Sequence, residues 1–159
     1  MRCHSIQVPI DDDLHPMRVI DLDEPLMKSF LDGSSQISLI RADCFIVYEK
    51  ITAIMESKSS YPERAIPQLK STYEKITSDW VRFVELCGLD TATPKPGYLY
   101  FCSENGLGGT RFERDTQGFL REKSRIGRNR GSVQKINNIP IRVYTKQLLR
   151  NSYNLQGVH

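Results

Sequence analysis

The sequence predicts an α+β fold: a mainly antiparallel sheet packed against one long amphipathic helix, with a basic C-terminal hairpin or arm. Three observations lead there. Apolar residues recur at helical spacing over one long stretch, residues 62–87. Short β-branched and aromatic runs come before that stretch and again after it, rather than alternating with further helices. Lys and Arg crowd into the last third of the chain. A composition of 39% hydrophobic and 26% charged residues over 159 positions suits one globular domain spanning 1–159.

The elements follow in order. Ile6, Val8 and Ile10 alternate as a strand does, and Asp11-Asp12-Asp13 breaks the run. Residues 17–22 read as a second strand, so an N-terminal hairpin is expected. Residues 24–31 read as a short helix, with Pro25 in its first turn and Gly33 as the cap. Residues 36–54 hold one or two strands, with the second half also compatible with helix, and residues 57–60 form a polar loop. In the long stretch Ile66, Leu69, Tyr73, Ile76, Trp80, Phe83 and Cys87 are spaced 3, 4, 3, 4, 3 and 4 apart, which places them on one face of a helix ending near Gly88. Three heptads fall short of a sustained coiled-coil seam, so the stripe is expected to pack on its own sheet.

After the Pro-containing linker 91–97, Tyr98-Leu99-Tyr100-Phe101-Cys102 is a compact strand, and Asn105-Gly106 turns it toward a returning strand at 111–115. Residues 119–136 have little to bury and are expected to form a basic loop or arm. Asn137-Asn138 turns the chain into Ile139–Tyr144, where Ile139, Ile141 and Val143 share a face and Pro140 favours a sheet edge. A frayed tail is expected at 151–159.

Several function classes are set aside. No window approaches the roughly 18 apolar residues of a membrane span, and no apolar stretch behind Arg2 makes a secretory signal readable. Cys3, Cys44, Cys87 and Cys102 are scattered with no Cys-x-x-Cys pair, and two sit in apolar runs. They read as buried reduced thiols of a cytoplasmic protein, and a structural zinc site is not expected. The carboxylates of Asp11, Asp12, Asp13, Asp21, Asp23 and Glu24 do not have calcium-loop spacing. His4, His15 and His159 all lie near the termini, which suits a catalytic pair or triad badly. No catalytic residue, metal or cofactor is assigned.

Charge is the informative feature. Residues 111–150 carry 11 Lys and Arg against three acids, a net +8, while residues 1–110 carry 11 against 16, a net −5. Such asymmetry points one end of the chain at an anionic partner. Arg121, Lys123, Arg125, Arg128, Arg130 and Lys135 are interrupted by Gly and Ser, which lets the backbone lie close to phosphates while Arg offers paired donors. The competing reading is a solvated loop without a ligand. The run 95–101 shares with the aromatic strand of RNA-recognition motifs a basic residue and Gly ahead of aromatics. Pro96 interrupts it and Leu99 stands where Gly or Ala belongs, so no family is assigned. Tyr98 and Tyr100 remain stacking candidates on one face, opposite Leu99 and Phe101. Gly106, Gly108, Gly109 and Arg111 form a weak candidate anion loop that lacks a Gly-Lys-Ser/Thr ending.

The expected function is therefore non-enzymatic binding of nucleic acid, RNA or a packaged genome, through the basic C-terminal segment. The alternatives are a structural or adaptor subunit of a larger assembly such as a viral or phage particle, contacting copies of itself or other subunits, and a small enzyme acting on a phosphorylated or nucleotide substrate.

Overall fold

Runs of apolar and β-branched residues build one central sheet, and its faces are covered by different parts of the chain. The computed structural model describes residues 1–10, 14–32, 41–58, 61–124 and 131–145. Its elements are β1 (Arg2–Cys3), β2 (Ile6–Gln7), β3 (Pro16–Asp21), α1 (Pro25–Asp32), β4 (Cys44–Tyr48), β5 (Thr52–Lys58), α2 (Pro62–Ser78), α3 (Trp80–Cys87), β6 (Tyr98–Ser103), β7 (Phe112–Arg114), β8 (Leu120–Glu122), β9 (Lys135–Ile136) and β10 (Ile139–Thr145). The central sheet has six strands in the order β3-β4-β5-β6-β10-β9, and β1-β2 and β7-β8 form two small hairpins. The Asp11-Asp12-Asp13 break, the Gly33 cap and the tail 151–159 lie outside the described residues.

The sheet is mixed, which corrects the mainly antiparallel expectation. β4 runs antiparallel to both of its neighbours, β3 and β5, but β5, β6 and β10 are parallel, and β9 closes the far edge antiparallel to β10. The parallel pairing follows from the connections. β5 returns to β6 through two helices and β6 reaches β10 through the β7-β8 hairpin, and both are crossovers long enough to reset strand direction. The N-terminal hairpin also differs from expectation: Ile6–Gln7 pairs back on Arg2–Cys3, and Pro16–Asp21 pairs with β4. β10 is an interior strand despite Pro140. The proline faces Lys135 of the two-residue β9, and pairing with β6 begins only at Ile141, so no ladder bond to β6 is lost.

The single long helix is overturned as well. The stripe is buried as its spacing demands, with Leu69, Ile76 and Phe83 fully enclosed and Ile66 and Trp80 packed against them. The backbone, however, leaves the helical region at Asp79 (φ −132°, ψ 45°), dividing the stretch into α2 and α3. Local hydrogen bonding explains the break. Thr77 Oγ1 donates to the Tyr73 carbonyl at 2.7 Å and Ser78 Oγ to the Lys75 carbonyl at 2.9 Å, back-bonds that compete with the helical ladder in its last turn. Gly88 (φ 64°) then caps α3 in the left-handed region, returning its N–H to the Glu85 and Val84 carbonyls.

One row of side chains crosses the helix-covered face in register: Ile20, Phe45, Ile54, Leu99 and Ile141. Phe83 inserts against it, with ring centroids 4.9 Å from Phe45, 5.7 Å from Phe30 and 5.8 Å from Trp80. The opposite face carries Cys44, Met55 and Tyr100, covered by Cys3, Ile6 and Val8 of the N-terminal hairpin. There Cys3 and Cys44 are joined in a disulfide, with their Cα atoms 5.9 Å apart. This corrects the expectation of four reduced thiols. Forty-one residues separate the pair in sequence, and only the packing of the hairpin onto β4 brings them together. The inference from scattered cysteines to a reducing compartment goes with it. Cys87 and Cys102 are free and buried. No described helix is long and apolar enough to cross a membrane.

Candidate nucleic-acid interface

The basic segment is more structured than its composition suggests. Leu120 is fully buried, and its carbonyl accepts from the Gln134 amide, while the Glu122 amide donates to the Ser132 carbonyl. Residues 131–134 therefore run back along β8, and the expected arm is a basic hairpin at both of its ends. Arg125, Arg128 and Arg130 lie outside the described residues.

Arg121 is spent inside the fold. Its guanidinium donates to the Gly131 carbonyl at 2.8 Å and to Asp115 Oδ2 at 3.4 Å, with both side chains largely covered. Asp115 in turn accepts from the Gln117 and Phe119 amides, each at 2.9 Å. Partial burial pushes its carboxyl up, but these amides and Arg121 outweigh that and hold it below the ordinary aspartate value. Arg121 thus pins the base of the hairpin rather than offering donors to a phosphate. Lys123 and Lys135 are exposed.

The stacking candidates are not available for bases. Tyr100 is 0% exposed, edge-on to Tyr48, Tyr98 and Tyr144. Tyr98 is covered by the Arg142 guanidinium, 4.3 Å from its ring centroid, which also lies over Phe119. Alternation placed both tyrosines on one face correctly, but it is the face that the N-terminal hairpin and Arg142 close.

The glycine loop is tied to itself. The Ser103 hydroxyl donates to the Gly106 carbonyl at 2.6 Å and the Thr110 hydroxyl to the Leu107 carbonyl at 2.7 Å, with Gly106 and Gly109 at positive φ. Arg111 reaches Glu63 at 3.8 Å and lies over the Phe112 ring. Beside the loop is a cavity of about 250 Å³, floored by Leu107, Phe112 and Val143 and rimmed by Glu113, Arg114 and Lys123. Its one lining carboxylate, Glu113, is only partly buried.

His4, Asp21 and Asp23 converge near the N-terminus, with His4 Nε2 3.1 Å from Asp21 and 3.5 Å from Asp23. The sequence left these residues apart. Arg41, which holds both oxygens of Asp32 at 2.8 Å, also reaches the second oxygen of Asp23 at 3.3 Å, and the Asp23 amide donates to Asp21 Oδ1 at 2.8 Å. Desolvation pulls the imidazole pKa down. The Asp21 hydrogen bond and the charges of Asp43, Asp21 and Asp23 outweigh it, so the net shift is upward. The free thiols are poor nucleophiles: burial pushes Cys102 well up and, against the Arg18 charge, Cys87 to about 11.

A larger hollow lies elsewhere. A groove of about 960 Å³ runs between α2 and the β9–β10 turn, lined by Ile66, Lys70, Tyr73, Glu74, Thr77, Ser78, Lys95, Lys135, Ile136 and Asn137. Three separate parts of the chain deliver its lysines. Lys70 stands on α2. Lys95 belongs to a linker held to β5, where Thr52 Oγ1 donates to the Pro94 carbonyl and the Gly97 amide to the Thr52 carbonyl, each at 3.0 Å. Lys135 opens β9. Asn137 and Asn138 turn in the left-handed region (φ 49° and 65°), which asparagine tolerates, and Asn137 Nδ2 donates to the Tyr73 hydroxyl at 2.9 Å, tying turn to helix. Lys70, Lys95 and Lys135 are exposed, and none is ion-paired among the described residues.

Among the described residues, Lys135 is the one expected contact residue that lines this groove. Lys70 had a readable signal: Lys70, Glu74 and Thr77 fall at helical spacing beside Ile66 and Tyr73 of the apolar stripe. Lys95 had none, because only the folded linker brings it there. No known protein family, curated protein or solved structure matches this chain.

Proposed function

We propose that this protein binds nucleic acid along the groove between α2 and the β9–β10 turn, with Lys70, Lys95 and Lys135 contacting phosphates. One observation carries the reading: three ammonium groups from distant parts of the chain line one open groove against a single carboxylate, Glu74, and none of the three is ion-paired among the described residues. An excess of like charge in one place opposes folding slightly, so a site that keeps it suits a ligand that brings the opposite charge. The +8 charge of residues 111–150 adds long-range attraction and includes Arg125, Arg128 and Arg130. The groove lining offers ammoniums, hydroxyls, one amide and one carboxylate, with no cysteine, histidine or serine–base pair among them. This supports binding rather than group transfer.

The test is a titration of a labelled single-stranded oligonucleotide, followed by fluorescence anisotropy at 50 mM salt. Wild type binds, and the K70Q/K95Q/K135Q variant, folded by circular dichroism, binds far more weakly. Equal affinities for the two proteins would remove the groove from the account.

A further inference from the structure

We propose that the groove selects single-stranded RNA over DNA, by a wall of hydrogen-bond acceptors placed beside its lysines. The inference rests on the reading above and names the ligand more closely. Its starting point is the direction of the hydrogen bonds along α2. Thr77 and Ser78 both line the groove, and their hydroxyls already donate, to the Tyr73 and Lys75 carbonyls. A hydroxyl has one hydrogen and two lone pairs, so what remains to each is acceptor capacity. Glu74, one turn earlier on the same helix, adds an exposed carboxylate that is not ion-paired among the described residues. An acid in a phosphate groove repels the backbone, and its presence there suits a ligand carrying hydroxyl donors between its phosphates. The ribose 2′-hydroxyl is such a donor, and deoxyribose lacks it.

The other features of the groove say how the strand is held. Its one aromatic, Tyr73, is buried with its hydroxyl engaged by Asn137, so no ring is offered to a base and recognition runs through the sugar–phosphate backbone. The surface is concave. A double helix is read by convex elements that enter its grooves, and the major groove of an RNA duplex is too narrow for side chains. The groove suits an extended unpaired strand lying along it, without base preference.

The experiment compares four probes of one length by anisotropy: oligo-rU, oligo-dU, a mixed-sequence RNA and the duplex made from it. Oligo-rU and the mixed RNA are expected to bind alike, each roughly tenfold more tightly than oligo-dU, the worth of one or two hydrogen bonds to a carboxylate or hydroxyl. Duplex is expected to bind more weakly than either RNA strand. The Glu74→Ala variant is the decisive arm. Removing a negative charge tightens binding to oligo-dU, while the RNA-to-DNA ratio collapses toward one. Equal binding of rU and dU by wild type, or a ratio unchanged in Glu74→Ala, overturns this inference and leaves the groove as a general phosphate site. Duplex binding as tight as single strand overturns the single-strand assignment. Failure to bind any probe overturns the underlying reading too.

Discussion

Replacing Cys3 and Cys44 together by alanine removes a link across 41 residues of chain, and the expected cost follows from that length. Closing a loop of this size withdraws about 13 cal/mol/K from the unfolded chain, or about 4 kcal/mol at 25 °C. That is a large share of the roughly 5–15 kcal/mol that holds a domain of ordinary stability together. The loss reaches beyond the bond itself, because Ile6 and Val8 and the hydrogen bond from the Tyr48 hydroxyl to the Pro9 carbonyl (2.8 Å) all depend on the hairpin staying docked. Urea unfolding followed by Trp80 fluorescence measures the change. Oxidised wild type should exceed the C3A/C44A variant by about 4 kcal/mol, and reductant should bring wild type down to the variant while leaving the variant unmoved. Thiol titration of the denatured, unreduced protein should find two reactive groups, Cys87 and Cys102. Four thiols, or a wild-type midpoint indifferent to reductant, would refute the disulfide and the docking argument built on it.

Three further outcomes follow from other parts of the molecule. Thr72→Val removes the oxygen that accepts the Ala42 amide at 2.8 Å in a buried setting; urea unfolding should show a loss of about 1–3 kcal/mol. Arg121→Ala should cost about 2 kcal/mol of stability, the scale of a covered charged hydrogen bond, yet leave oligonucleotide affinity where it is, whereas Lys135→Ala should lower affinity with stability unchanged; paired melts and titrations separate the two. His4 has a raised folded-state pKa, so its contribution is fully present below its unfolded value of about 6.5 and is lost as pH rises through the folded value. The stability difference between wild type and His4→Gln should therefore be larger at pH 5.5 than at pH 8.5, and a difference that grows with pH would contradict the pairing with Asp21.

Period and alternation carried much of the architecture. The 3–4 spacing from Ile66 to Cys87 marked the residues that α2 and α3 bury, and alternation sorted Leu99 and Phe101 from Tyr98 and Tyr100. Spacing does not report where a backbone stops being helical: the break at Asp79 comes from Thr77 and Ser78 bonding back to carbonyls, while the apolar stripe continues across it. Strand direction was equally hidden, since periodicity is blind to whether β6 returns parallel or antiparallel. The Cys3–Cys44 link and the His4–Asp21–Asp23 cluster join residues far apart in sequence, and nothing in their spacing announces them. For the candidate interface, net charge drew attention to Arg121, which the fold pairs with Asp115. Lys70 could be placed beside the apolar stripe by helical spacing, while Lys95, in a stretch of ordinary charge, came into view only through the fold.

The central claim, that three lysines in one groove hold phosphates, is tested most directly by the salt dependence of binding. For single-stranded nucleic acid each neutralised phosphate contributes about 0.7 to the slope of log K against log salt, so three contacts give about 2.1. Anisotropy titrations from 50 to 200 mM salt should show the slope of K70Q/K95Q/K135Q shallower than wild type by about two. Parallel slopes for the two proteins would contradict the account, whatever their absolute affinities.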